Sequence, residues 1–239
     1  SRENAAEDEI ATYAFLGLPA LLAPGAHPFT LTVASAAGER AVSLTLQVAP
    51  GRFDYERIDL PPDRQSLLDP ARTQAERQTI AALRTVRSLE RRWMLPFRAP
   101  LQGSITSYYG SRRSYGQGFS SYHGGADFQA ATGVPVYAPA SGTVILSEPL
   151  VIRGNAVMID HGWGVTTGYW HLSRIDVSIG QEIGVGTQLG LVGNTGLSTG
   201  SHLHWELWVN GIAVDPLDWL DIDADSERVP ELMMPGDVP

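Results

Sequence analysis

Apolar and polar residues alternate along Phe29-Thr30-Leu31-Thr32-Val33, and again along Val42-Ser43-Leu44-Thr45-Leu46-Gln47-Val48. A period of two sends successive side chains to opposite faces, so both stretches predict strands with one buried face. Pro24-Gly25 and Gly38 punctuate them as turns. Residues 1–50 therefore predict a small antiparallel β region, Ig-like or a partial sandwich. The period then changes. After a polar stretch containing Pro61-Pro62, Asp69 stands as an N-cap before Pro70 at the first helical position. Ile80, Leu83, Val86, Leu89 and Trp93 share one broad face and predict a connecting helix over about 70–93, within a linker over 51–96. The accompanying arginines, Arg72, Arg77, Arg84, Arg87, Arg91 and Arg92, read as a solvated face rather than a site for an anionic polymer.

From Phe97 to about Ile222 the chain becomes short apolar runs cut by glycine, at Gly110, Gly124-Gly125, Gly133, Gly142, Gly154, Gly162, Gly180 and Gly193. Turn signals at that density predict an all-β domain over 97–222. Within it Asn210-Gly211 separates two apolar runs, 205–209 and 212–214, as a two-residue hairpin turn does. The acidic, proline-bearing tail over 223–239 is expected to fray.

Composition narrows the chemistry. A chain of 239 residues can hold one large domain or a catalytic domain with a smaller partner. No apolar run approaches the roughly 20 residues that span a bilayer, which predicts a soluble chain with no transmembrane segment. Residues 1–9 are polar and acidic, unlike an export signal, so an exported protein would have lost its signal already. A net charge of −9 argues against nucleic acid as the main partner. All seventeen basic residues are arginine, which reads as genomic base composition rather than function. Cysteine is absent, so there is no thiolate nucleophile and any metal must be held by His, Asp or Glu.

Five of the six histidines lie in the glycine-rich domain: His123, His161, His171, His202 and His204. Hydrolytic zinc sites use three protein ligands and leave a fourth position for water, and this domain can supply such a set. His123 and Asp127 in Tyr122-His123-Gly124-Gly125-Ala126-Asp127-Phe128 form one candidate pair, weak alone because a His and an Asp four apart are common on surface loops. His202-Leu203-His204 is sharper. On a strand both imidazoles face one side, and burying them together is costly unless a metal or a hydrogen-bond network compensates. Glu206 shares that face, as an orienting carboxylate or as an ordinary surface one.

Taken in order, His123-x-x-x-Asp127, then Tyr169-Trp170-His171-Leu172-Ser173, then Gly193-Asn194-Thr195-Gly196 with Ser198-Thr199-Gly200 and His202-x-His204-x-Glu206 resemble the signature of the lysostaphin and LytM-type metallopeptidases. Flanking segments agree: Ile105 to Gly110, Gly133 to Ala138, and Val209 to Pro216. The resemblance covers residues 97 to 221. It implies a mainly β, antiparallel β-sheet metallopeptidase domain of the lysostaphin-like type. It also implies one Zn²⁺ held by His123, Asp127 and His204, with His171 and His202 as base and transition-state stabiliser in an order left open. The implied substrate is the peptide cross-link of bacterial peptidoglycan, hence an extracytoplasmic location.

His161 is expected to be structural, His27 exposed, and Arg153, Asp160 and Trp163 scaffold or cleft wall. Relatives that have lost ligands act as non-catalytic activators or wall-binding modules, but here every implied ligand and catalytic histidine is present. A purely structural zinc site is disfavoured, since such sites close with a fourth protein ligand and favour Cys. The segment before residue 98 either covers the metal, as in latent relatives, or only positions the domain. A glycine-bearing loop over 111–119 is expected above the cleft. Oligomeric state is left open.

Overall fold

The computed structural model describes residues 15–35, 38–115 and 120–222. The expectations for residues 1–14, for 116–119 of the cleft loop and for the tail after 222 lie outside the described residues.

Strands β1 (Gly25–Ser35) and β2 (Gly38–Val48) pair in antiparallel register along their whole length. The face foreseen from the alternation, Val42, Leu44, Leu46 and Val48, is the half-buried one. In place of a sandwich, the described residues form a two-stranded ribbon with no second layer and no fully buried residue. His27 sits on β1, partly exposed, bonded to the carbonyl of Ala23 at 2.7 Å.

The connection that follows is more structured than a polar linker. It contains the short strand β3 (Tyr55–Arg57), helix α1 (Pro62–Gln65) and helix α2 (Pro70–Leu83). Asp69 caps α2 as foreseen, its side chain accepting from the Ala71 amide at 2.9 Å. The helix ends ten residues earlier than the periodicity predicts, because residues 88–93 are bound elsewhere. The Trp163 amide donates to Ser88 and the Arg92 amide to His161, and Trp93, only 2% exposed, enters the core among Phe15, Phe97 and Trp219. Burying roughly 200 Å² of an indole at roughly 25 cal/mol/Å² is worth about 5 kcal/mol, against a few tenths per residue from helix propensity. Leu89, foreseen on the apolar face, is instead 94% exposed.

The strands after Phe97 are β4 (Ser104–Ser107), β5 (Arg112–Ser114), β6 (Ser120–Tyr122), β7 (Gly125–Gln129), β8 (Pro135–Tyr137), β9 (Gly142–Leu150), β10 (Gly154–Gly162) and β11 (Val165–Leu172). They continue as β12 (Arg174–Ile175), β13 (Glu182–Ile183), β14 (Gln188–Leu191), β15 (His202–Val209) and β16 (Ile212–Val214), and a last helical turn α3 (Asp218–Asp221) closes the described chain. An eight-stranded antiparallel sheet runs in the order β13-β9-β10-β11-β15-β7-β4, with β16 also on β15. Asn210 and Gly211, at φ 52° and 84°, make the foreseen hairpin turn between β15 and β16. Residues 112–114, expected in a flexible loop, form β5, held between β3, in parallel, and β6.

The sheet packs differently on its two faces. One carries Leu203, Trp205, Leu207 and Val209 of β15 into the main core. The other carries His202, His204, Glu206 and Trp208, continued by Trp170, Met158, Ala156 and Leu146, and α2 covers its far end through Ile80. The arginines of α2 lie outside, as expected of a solvated face.

Candidate metal centre and catalytic cleft

Asp127 on β7 stands directly opposite His204 on β15 in antiparallel register, so their side chains project together from one face. His123 enters from the turn before β7. The two glycines after it matter for close approach: a Cβ on Gly125 would lie 2.1 Å from the carbonyl oxygen of Trp205, and one on Gly124 would lie 3.0 Å from Glu206 Oε1. Only glycine lets this turn fold down onto β15.

His123 Nε2, His204 Nδ1 and Asp127 Oδ1 form a triangle with sides of 2.8, 2.7 and 3.0 Å. The opposite ring edges fix what faces inward. His204 Nε2 donates to Glu206 Oε1 at 2.8 Å, and His123 Nδ1 donates to the Tyr108 carbonyl at 3.0 Å, with Ser107 Oγ at 2.9 Å. Neutral rings so anchored present two bare lone pairs to a carboxylate oxygen, which repel unless a cation joins them. Glu206 is thus the orienting carboxylate of the two alternatives left by the sequence, and it is buried.

The charges agree. Burial opposes a proton on His204, yet Asp127 and Glu206 override it and raise its pKa, so a positive charge is favoured at that point. Burial alone would push Asp127 upward, but His204 and His123 hold it well below the usual carboxylate range. Glu206 is likewise held down, to about 2, by its bond to His204 against the effect of burial. His123, desolvated at 1% exposure, is lowered and stays neutral, as a ligand must be. The donor set therefore suits a borderline divalent cation such as zinc: two imidazoles and a carboxylate, with no fourth protein ligand in the group among the described residues.

His171 and His202 stand beside this triangle. Their ring centroids are 4.9 Å apart, and His202 Nε2 is 3.8 Å from Asp127 Oδ1. His202 Nδ1 donates to the Gly200 carbonyl at 2.8 Å and His171 Nδ1 to the Thr195 carbonyl at 2.8 Å, which leaves each Nε2 as the edge for chemistry. His171 has φ 62°, rare for a residue with a Cβ, and sits where the pairing of β10 with β11 skips register. That bulge turns its ring toward the cleft at a cost of roughly 1–3 kcal/mol. Burial, then His202 and His204, depress the pKa of His171 to about 3; burial also lowers His202 against the pull of Asp127. Both rings are neutral near pH 7.

His161 lies apart, fully buried, its Nδ1 donating to the Ser141 carbonyl at 2.7 Å and its Nε2 accepting from Thr167 at 2.8 Å. It is scaffold, as expected.

Several site residues were not found from the sequence. Arg113 on β5 donates to Asp127 Oδ2 at 2.7 Å and to Glu56 Oε2 at 2.8 Å, and Glu56 Oε1 accepts from Ser107 at 2.6 Å. A carboxylate of the upstream segment thereby reaches the metal ligands through one arginine. On the other side of the cleft, Arg64 of α1 donates to the carbonyls of Gly196 and Asn194, and Glu76 of α2 binds Ile152 and Arg153. A cavity of about 310 Å³ lies between α2 and the site, lined among others by Arg84, Arg113, Arg153, Trp170, His171 and His204.

Comparisons with known proteins fit this geometry. The model of peptidase family M23 matches residues 121–216. The crystal structure of a protein assigned to peptidase M23 from Pseudomonas aeruginosa is 30% identical, with a TM-score of 0.68 over 86% of this chain and 77% of that one. The chain belongs to peptidase family M23. Within the family, the peptidoglycan DD-endopeptidase ShyA of Vibrio cholerae is 44% identical over 95 residues, 40% of this chain and 22% of that protein. A zinc-containing peptidase from Vibrio cholerae is 33% identical, with a TM-score of 0.50 over 55% of this chain and 41% of that one. The chain spans about a fifth of the length of the curated relatives it matches. M23 metallopeptidases are zinc-dependent, and His123, Asp127 and His204 form the candidate metal site of this one.

Proposed function

We propose that this chain is an active zinc endopeptidase that hydrolyses peptide cross-links of bacterial peptidoglycan outside the cytoplasm, with His123, Asp127 and His204 as zinc ligands and His171 and His202 as the catalytic pair. One observation carries the proposal: three ligand atoms whose outer edges are already committed converge beside two neutral imidazoles with free Nε2 edges.

Zinc, when bound, supplies Lewis acidity and a water of lowered pKa. The chain's own residues supply the rest. One neutral Nε2 of the His171–His202 pair takes the proton of the attacking water, while the other ring, in its protonated imidazolium form, donates from Nε2 to the negative charge on the carbonyl oxygen. The C–N bond breaks, the water oxygen stays on the carbonyl carbon, and the proton passes to the leaving nitrogen. Glu206 and Arg113 hold His204 and Asp127 in place. Relatives named peptidoglycan DD-endopeptidases support a wall peptide as substrate. The test is metal content together with hydrolysis of purified peptidoglycan, on the wild type and on His204→Ala. One zinc per chain and cleavage, both lost in the variant, are expected; absence of zinc overturns the proposal.

A second form of the proposal, a latent enzyme, is favoured by one observation. Upstream residues Glu56, Arg64 and Glu76 all hold on to the surround of the site. Trimming the segment before residue 95 with no change in activity would exclude it.

A further inference from the structure

Glu76 is an unusual residue for the covered face of a connecting helix. It is 5% exposed, and its two oxygens are fully engaged: Oε2 accepts from the Ile152 amide at 2.8 Å and Oε1 from Arg153 Nη1 at 2.9 Å. A backbone amide and a guanidinium set side by side make a receptor for a carboxylate. That receptor belongs to the peptidase domain, whereas the carboxylate filling it belongs to the segment before it.

The receptor also adjoins the catalytic pair. The Arg153 carbonyl accepts from the His171 amide at 2.8 Å, Ile152, Arg153 and His171 line the same cavity, and the charge of Arg153 reaches Glu206. The guanidinium lies 5.1 Å from the centre of the Trp170 ring. Arg153 Nε and Trp170 Nε1 are buried with no hydrogen-bond partner among the described residues, so Arg153 and the ring it lies against keep two donors that Glu76 does not use. Arg84 lines the cavity too and adds positive charge there.

We propose that the Ile152 amide and the Arg153 guanidinium form a subsite for a substrate carboxylate, and that Glu76 occupies it as a stand-in. This rests on the wall-peptidase proposal above and names the bond it acts on. In a D-alanyl cross-link to diaminopimelate, the carbon attached to the scissile nitrogen carries a free carboxylate. In a glycine bridge the corresponding carbon carries another amide. Arg153 therefore selects the former, and α2 must release it before that substrate binds.

The test is calorimetric binding of the tetrapeptide L-Ala-γ-D-Glu-diaminopimelyl-D-Ala, and of the same peptide with its carboxylates amidated, to the full chain and to Glu76→Gln and Arg153→Gln. Gln keeps the shape of Glu76 and can still accept from Ile152, so the fold is retained. The acid form is expected to bind Glu76→Gln about tenfold more tightly than wild type, and about tenfold or more in preference to the amide form. In Arg153→Gln the preference collapses toward one. Equal weakening of both peptides by Arg153→Gln overturns the subsite, and an unchanged acid affinity in Glu76→Gln overturns the stand-in role. Because binding is read without turnover, the outcome separates from that of wall hydrolysis. An acid preference that depends on Arg153 in a chain that cuts no wall would defeat the catalytic proposal alone, and cleavage without any such preference would defeat this one alone.

Discussion

The two faces of β15 use alternate residues of one strand for opposite purposes. Leu203, Trp205, Leu207 and Val209 are at most 3% exposed and pack into the main apolar core. His204 and Glu206 are nearly as buried, yet each is engaged by polar partners. The first face gains stability by excluding water. On the second, the burial strengthens every charge, so a missing partner is costly and a present one is well oriented. Stability and chemistry thus share one backbone and separate at every second residue.

One substitution on each face separates the two roles. His204→Ala is expected to abolish stoichiometric zinc binding and bring wall hydrolysis to background, with the far-ultraviolet circular dichroism spectrum unchanged. Trp205→Ala, one residue away, should cost about 3–5 kcal/mol of unfolding free energy. A His204→Ala protein that is unfolded, or one that still hydrolyses wall, would erase the distinction. Next in size is Glu206→Ala, which leaves the ligands present but frees the His204 ring; zinc affinity measured by competition with a chelator should fall about 10–100-fold.

The core face has its own titration. Burial depresses the pKa of His161 to about 4 from 6.5, so the unfolded chain binds the proton more tightly. Stability from this residue is full above pH 6.5 and is lost as pH falls toward 4, roughly 3 kcal/mol in all. Denaturant midpoints across that window should drop for the wild type and drop less for His161→Gln. The smallest effect is expected from Glu56→Gln, which weakens only the support of Arg113. A few-fold loss of zinc affinity is expected, and a loss as large as that of Glu206→Ala would place Glu56 much closer to the metal chemistry than the distances allow.

The sequence revealed one face of the site much better than its surroundings. His202-x-His204-x-Glu206 was legible because a strand's period alone puts those residues together, and Gly124-Gly125 because tight turns need glycine. The sequence does not show that Gly125 is required by the carbonyl of Trp205, a neighbour eighty residues later. Arg113, Glu56 and Glu76 are hidden for the same reason, and Arg153, expected as scaffold or cleft wall, gives no sign of its carboxylate partner. Their partners come from parallel pairing of β3 with β5 and from docking of α2, and no local pattern encodes either. The helix end is not encoded locally, because Trp93 fits a helical stripe equally well whether it ends on α2 or in the core.

Strand β15 lies in the interior of the sheet, between β11 and β7, although it is among the last strands in chain order. Asp127 and His204 acquire their common geometry only when that late strand pairs with β7. A sheet that lacks β15 therefore cannot offer the complete ligand set, so metal capture reports that the late strand has paired with β7, and added zinc should favour that pairing by mass action.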